Sequence, residues 1–197
     1  MNAMKRFTFY LLPTLFVAAA CATSPSSDDS PSAVGASITA DLLDGRAAEA
    51  DQLFERYART NRYREALYPV LFNAAHRHYE SDAPTDAAKL LRFVHAKYPD
   101  SAAAREALLY ALFVQRAAAS VADTALVGEI GALLQEFDSV AQRPVWTWLV
   151  EAQYWIDRGR VPQAAPAFQT FRTQWDGQPQ ELAAYVTELD RWLRSHS

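Results

Sequence analysis

The chain reads as an all-α protein made of short antiparallel helices, and three observations carry that reading. Its 197 residues include 37 alanines and only 6 glycines. That composition is rich in good helix formers and poor in the residue that the tight turns of sandwiches and barrels need. From Ile38 onward the apolar residues recur at helical spacing, as in Ala50, Leu53, Phe54, Tyr57 and Ala58, which puts them on one stripe of a helix. No segment sustains the two-residue alternation of a half-buried strand.

The spacing predicts helices over 38–43, 47–60, 62–80, 84–98, 101–119, 122–138, 144–158, 161–175 and 180–195. Leu90, Leu91, Val94 and Tyr98 mark the buried stripe of the fourth. Trp148, Leu149, Ala152, Trp155 and Ile156 mark the seventh, and Leu182, Tyr185, Val186, Leu189, Trp192 and Leu193 mark the last. Punctuation agrees with the stripes. Asp82 and Pro84 start one helix, since proline lacks only an N–H that has no partner in a first turn. Tyr98-Pro99-Asp100-Ser101 closes that helix and offers Asp100 or Ser101 as the next cap. Arg143-Pro144 opens another, Gly159 closes it, and Gly177 with Pro179 separates the last two. Pro69 and Pro166 fall inside helices, where each is expected to remove a backbone bond and bend the helix. Helices of this length joined by loops of two to five residues pack as antiparallel neighbours. Repetition of that unit gives a solenoid.

The first residues carry a different signal. Lys5 and Arg6 form a short positive segment, and 14 mostly apolar residues follow, Phe7 to Ala20. A membrane-crossing helix needs about 20 apolar residues, so the stretch fits a secretory signal better than an anchor. Ala18-Ala19-Ala20 precede the only cysteine, Cys21. Val17 to Cys21 resembles the lipobox of bacterial lipoproteins, with Ala18 where leucine is usual. The resemblance implies cleavage before Cys21, lipid on its thiol, and, with Ala22 rather than aspartate next, the periplasmic face of the outer membrane. The competing reading is an ordinary signal cut at Ala-x-Ala, leaving Cys21 a free thiol. Residues 21–37 read as a flexible tether from their serine, proline and aspartate content. This divides the chain into a signal peptide over 1–20, a lipidated tether over 21–37 and one helical repeat domain over 38–197.

Residues 145–178 resemble a tetratricopeptide repeat. Trp148, Ala152 and Trp155 fall on its large, small and aromatic positions, Gly159 on its turn, and Ala164, Phe168 and Phe171 on the second helix. A weaker match covers 47–76, with Phe54 in a small-residue place, and a third runs through Ala87, Leu91, Val94, Tyr98 and Pro99. The run Lys97-Tyr98-Pro99-Asp100-Ser101-Ala102 is similar to the tetratricopeptide lipoproteins of the bacterial envelope, including that of the outer-membrane β-barrel assembly machine. The resemblance implies a right-handed α-solenoid with a C-terminal capping helix at 180–195. In that register Trp146, Leu149, Gln153, Ile156 and Asp157 face a concave groove for a partner peptide or helix; the alternative for Trp146 is that a neighbouring helix covers it. Asp51, Glu55, Arg59 and Arg105 are placed along the same groove, and Trp148 and Trp155 in the core. Trp175 and Trp192 are expected to pack the last hairpin against the capping helix.

Little chemistry competes with a binding role. The net charge of −4 leaves no basic excess to neutralise a nucleic acid backbone. One cysteine excludes an intrachain disulfide. His76 and Glu80 stand four apart on a helix, but His78 points elsewhere and no third ligand is in view, so no metal is expected. Gly128 and Gly131 lie in an apolar helical run and read as close-packing positions, not a phosphate loop. The expectation is a non-enzymatic scaffold without a cofactor or small-molecule substrate, held to the membrane by lipid and binding a protein in envelope assembly. A pilotin-like secretion lipoprotein and a regulator of a cell-wall enzyme are the alternatives.

Overall fold

The computed structural model describes residues 30–119, 121–138, 140, 143–177 and 182–196. Among them are the helices α1 (Pro31–Leu43), α2 (Ala47–Tyr57), α3 (Asn61–Glu80), α4 (Pro84–Lys97) and α5 (Ala102–Ala118). They continue as α6 (Thr124–Phe137), α7 (Trp146–Asp157), α8 (Val161–Gln174) and α9 (Leu182–His196), and no strand occurs among the described residues. The signal segment, Cys21 and residues 22–29 lie outside them.

The largest departure from the sequence reading is at the start. Residues 31–37, expected in the tether, form the first half of α1. The Ser30 hydroxyl accepts the Ala33 N–H at 3.1 Å and Pro31 takes the first helical position, so a serine–proline pair that resembles linker is here a helix cap. Val34 and Ile38 then enter the core at 2% and 0% exposure. α3 and α8 run uninterrupted through Pro69 and Pro166. Both prolines are exposed, so water can take the carbonyl left without its N–H.

Three helices end in the same left-handed turn. After α1, the Gly45 N–H donates to Leu42 O and the Arg46 N–H to Asp41 O. After α3, Asp82 and Ala83 donate to Tyr79 O and His78 O, and after α7, Gly159 and Arg160 donate to Ile156 O and Trp155 O. The central residue has φ of 80°, 60° and 68° in turn. Glycine adopts this conformation freely, and an aspartate does so at some cost. Each turn lets the following helix fold back, giving the hairpins α1/α2, α3/α4 and α7/α8.

The described chain groups into two compact units divided inside α5, between Leu108 and Leu109. In the first, α1 packs on α2, α3 and α4, and α3 packs on α4. Its core joins Val34, Ile38, Ala50, Phe54, Leu67, Leu71, Val94 and Ala104. A Cβ added to Gly35 would collide with the Val70 side chain, so this glycine sets how closely α1 approaches α3. Phe54, taking a small-residue place in the expected repeat over 47–76, is buried edge-on against Phe93 and Tyr98 at 5.6 and 5.8 Å. That repeat would pair α2 with α3, whereas the close backbone pairing is α1 with α2 and α3 with α4.

In the second unit, α7 packs on α8, α6 on α7 and α9 on α8. Ala152, Ala164, Phe168 and Phe171 are buried, as the repeat register expects. Trp148 and Trp155 are half-buried instead, and the buried residues of α7 are Thr147, Leu149, Val150 and Ala152. Leu149 and Ala152 of the expected stripe are thus in the core, joined by Thr147 and Val150 in place of the two tryptophans. The reason lies in how the two indoles are held. The Arg143 guanidinium stacks on Trp148 at 3.9 Å, and the Trp155 ring N–H donates to Glu151 at 3.2 Å. Trp175 stacks on Phe171 at 5.3 Å, and Trp192 stacks on His196 at 4.1 Å within α9.

The two glycines of α6 part company. A Cβ on Gly131 would meet the Tyr154 ring at 2.6–2.9 Å, while one on Gly128 would meet nothing within 4 Å. Only Gly131 is a close-packing position; Gly128 is exposed. Gly131→Ala is therefore expected to destabilise the protein by about 1–3 kcal/mol through displacement of Tyr154. Gly128→Ala is expected to stabilise it by about 0.5–1 kcal/mol through helix propensity. Urea denaturation of the two variants beside wild type should show midpoints moving in opposite directions.

Candidate protein-binding surface

The residues expected to line the groove on α7 divide into two sets. Leu149 is 1% exposed and lies in the core, so it offers no surface. Gln153 and Asp157 belong to a polar network inside the second unit. Arg116 of α5 holds both Asp157 carboxylate oxygens, Nε at 2.7 Å and Nη2 at 2.6 Å. The Gln153 amide donates to the same carboxylate at 2.9 Å, and the Tyr185 hydroxyl of α9 donates to Gln153 Oε1. The Phe113 ring stands edge-on to Tyr185 at 5.5 Å. The remaining two, Trp146 and Ile156, keep part of their surface open, and Trp146 lies edge-on to Tyr110 at 5.7 Å.

Electrostatics explains why this network holds. The Asp157 side chain is 4% exposed and that of Arg116 14%, so each charge depends on the other for the solvation it has lost. The hydrogen bond to Asp157 raises the Arg116 guanidinium above its ordinary pKa in spite of burial. Burial, and then the neighbouring Asp157 charge, push the Tyr185 phenol well above its usual range. Tyr185 thus remains a neutral donor to Gln153.

In the first unit, Asp51 and Glu55 are exposed acids whose oxygens both lie 2.6 Å from Lys97 Nζ. Lys97 lies over the Phe54 ring at 5.0 Å and the Phe93 ring at 5.7 Å. Burial lowers the affinity of the Lys97 ammonium for its proton, but the two carboxylates outweigh that and hold its pKa above 10.5. Arg64 sits over Tyr98 at 5.5 Å and donates to the Lys97 carbonyl. The Tyr98 hydroxyl donates to Arg64 O at 2.6 Å, and burial pushes this phenol up to about 12. The arrangement fastens the end of α4 to α2 and α3. Arg59 is exposed and Arg105 half-buried on α5. His76 Nδ1 lies 3.6 Å from Glu80, and no group of metal-ligating side chains occurs among the described residues.

An open groove of about 540 Å³ lies instead between α1 and α3. Ser32, Gly35, Ala36, Thr39, Ala40 and Leu43 form one wall, and Val70, Asn73, Ala74 and Arg77 the other. Each set recurs at i, i+3, i+4 and i+7, which is one face of a helix. α1 carries a single charged residue, Asp41, in its 13 positions. The sequence reading missed this groove because it placed residues 31–37 in the tether. The signal was present in the spacing of Ser32, Gly35, Ala36, Thr39, Ala40 and Leu43.

No family model, curated protein or solved structure matches this chain. Among the described residues no helix is long and apolar enough to cross a membrane.

The Arg116–Asp157 pair makes a direct prediction. Arg116→Met leaves a buried carboxylate unpaired and is expected to cost about 3–5 kcal/mol. The double variant Arg116→Met/Asp157→Leu removes both charges and is expected to cost clearly less than Arg116→Met alone. Urea unfolding of the set measures this, and equal losses in the single and double variants would contradict it.

Proposed function

We propose that this chain is a periplasm-facing lipoprotein of the outer membrane that serves as a non-catalytic scaffold in envelope or outer-membrane protein assembly. Lipid on Cys21 fixes it to the leaflet, residues 22–29 give it reach, and tetratricopeptide-like hairpins in a right-handed solenoid present a partner-binding surface. The positive pair Lys5 and Arg6, the apolar segment after it and Cys21 support the anchor. The observation that carries the scaffold reading is the open groove between α1 and α3. Its walls are mostly short side chains on two packed helices, a shape that lets a helix or extended segment of another protein approach the backbone closely. On its groove side α1 presents Gly35, Ala36, Ala40 and Leu43 beside the hydroxyls of Ser32 and Thr39, with no charge among them. Arg77, exposed on the groove wall, favours a partner segment with a carboxylate near one end. Trp146 and Ile156 supply a second, smaller anchoring surface.

The test is a crosslinked pull-down of the full-length lipoprotein from its native envelope. Wild type is run beside Ala36→Arg, Trp146→Ala and Cys21→Ser. Ala36 is exposed, so an arginine there blocks the groove without entering the core. The expected result is a partner recovered with wild type and reduced at least tenfold with Ala36→Arg, and loss of the membrane fraction with Cys21→Ser. Retention of the partner by Ala36→Arg would overturn the groove assignment, and membrane retention of Cys21→Ser would overturn the anchor. Recovery of a secretin or pilus component would favour the pilotin-like role.

A further inference from the structure

We propose that the second unit carries a phosphate-binding cleft between the start of α6 and the end of α7. The cleft has a volume of about 290 Å³ and is lined by Ala122, Thr124, Val127, Asp157, Arg158 and Arg160. The left-handed turn at Gly159 sets Arg158 and Arg160 on either side of one glycine at the end of α7. Elsewhere in this unit Arg116, Arg143, Arg172 and Arg194 each hold a carboxylate. Arg158 and Arg160 hold none among the described residues, and both border the same recess. Arg160 has only the Trp155 ring beneath it, at 5.8 Å.

The one acid on the lining does not cancel them. Both oxygens of Asp157 are engaged by Arg116 and its side chain is buried, so its charge is compensated and two outer guanidiniums remain on the lining. The Asp123 carboxylate, next to the lining residue Thr124, caps α6 by accepting the Ala125 N–H at 2.8 Å and keeps its single charge, which the two guanidiniums outnumber. Two guanidinium forks and the Thr124 hydroxyl offer more donors than the two oxygens of a carboxylate can accept. A tetrahedral phosphate has oxygens enough for all of them. Val121, 77% exposed, is the one large apolar side chain left open among the described residues and immediately precedes the lining residue Ala122. An apolar side chain beside a cationic cleft suits a phosphate that carries hydrocarbon, as a lipid headgroup does. Free phosphate shares the same recognition chemistry.

The experiment titrates inorganic phosphate into the full chain at constant ionic strength and follows backbone amide shifts. Wild type is compared with Arg158→Gln/Arg160→Gln and with Arg191→Gln, an exposed arginine away from the cleft lining. Saturable shifts at residues 121–127 and 158–160, weakened at least tenfold in the double variant and unchanged in Arg191→Gln, are expected. Circular dichroism of the double variant confirms its fold. A second arm measures binding to phosphatidylglycerol and phosphatidylcholine vesicles. Preference for phosphatidylglycerol that the double variant loses identifies a lipid headgroup as the source, and saturable phosphate binding without it identifies free phosphate. Shifts that rise linearly without saturating, or that persist in the double variant, overturn the proposal.

Discussion

Close approach of helix backbones is the constraint on which this structure depends. Helices of 11–20 residues are marginal on their own in water and gain their stability from packing one face on a neighbour. With 37 alanines, the chain places small side chains where helices meet, and Ala50, Ala75, Ala87, Ala88, Ala104, Ala152 and Ala164 are fully buried. Gly35 and Gly131 take the same logic to its limit, since a single methyl group at either position meets a neighbouring side chain. Larger rings then fill what the small residues leave: Phe54 with Phe93 and Tyr98 in one unit, Phe168, Phe171 and Trp175 in the other. Loss of one small residue is felt because a close-packed interior has no slack to absorb it.

Polar groups secure what apolar packing brings together. In the first unit Lys97, its two carboxylates and Arg64 close the ends of α2, α3 and α4 over a group of aromatic rings. In the second, Arg116 and Asp157 join α5 to α7, and Gln153 relays the connection to Tyr185 on α9. The network is more deeply buried than the lysine cluster, whose carboxylates face water, so screening weakens the latter and spares the former. Of the residues that a repeat register assigns to a ligand face on α7, Leu149, Gln153 and Asp157 are engaged within the protein. The open surface lies in the groove between α1 and α3, where the α1 wall is formed mostly by short side chains.

Much of the fold was legible because helical periodicity is a local property. The boundaries of α2 to α9 fall within three residues of their predicted positions, and Ser101 caps α5 through the Ala104 N–H at 3.2 Å. The register was harder. On α7, Trp148 and Leu149 are adjacent, both apolar, and equally suited to a core stripe. The choice falls to Leu149 because Arg143 covers the Trp148 ring, a contact between a loop and a helix that no spacing reveals. The start of α1 was misread for a related reason. Ser30-Pro31-Ser32 has the composition of a linker, and only the downstream Val34 and Ile38, once packed, turn it into a cap. Gly128 and Gly131 look alike in sequence, and their difference rests entirely on where Tyr154 lies. The polar network was legible as residues but not as partners, since Arg116, Asp157 and Tyr185 are distant in the chain.

The central claim is that α1 is a docked helix whose outer face, with α3, leaves a groove for another protein. Backbone hydrogen exchange of the full chain at neutral pH tests it most directly. A docked α1 predicts that the amides of Ile38 to Leu43 exchange on the order of a hundredfold more slowly than an unstructured chain, with those of α3 slower still. Exchange of residues 34–43 at the rate of an unstructured chain, with α3 protected, would mean that α1 does not dock and that the groove it walls does not exist.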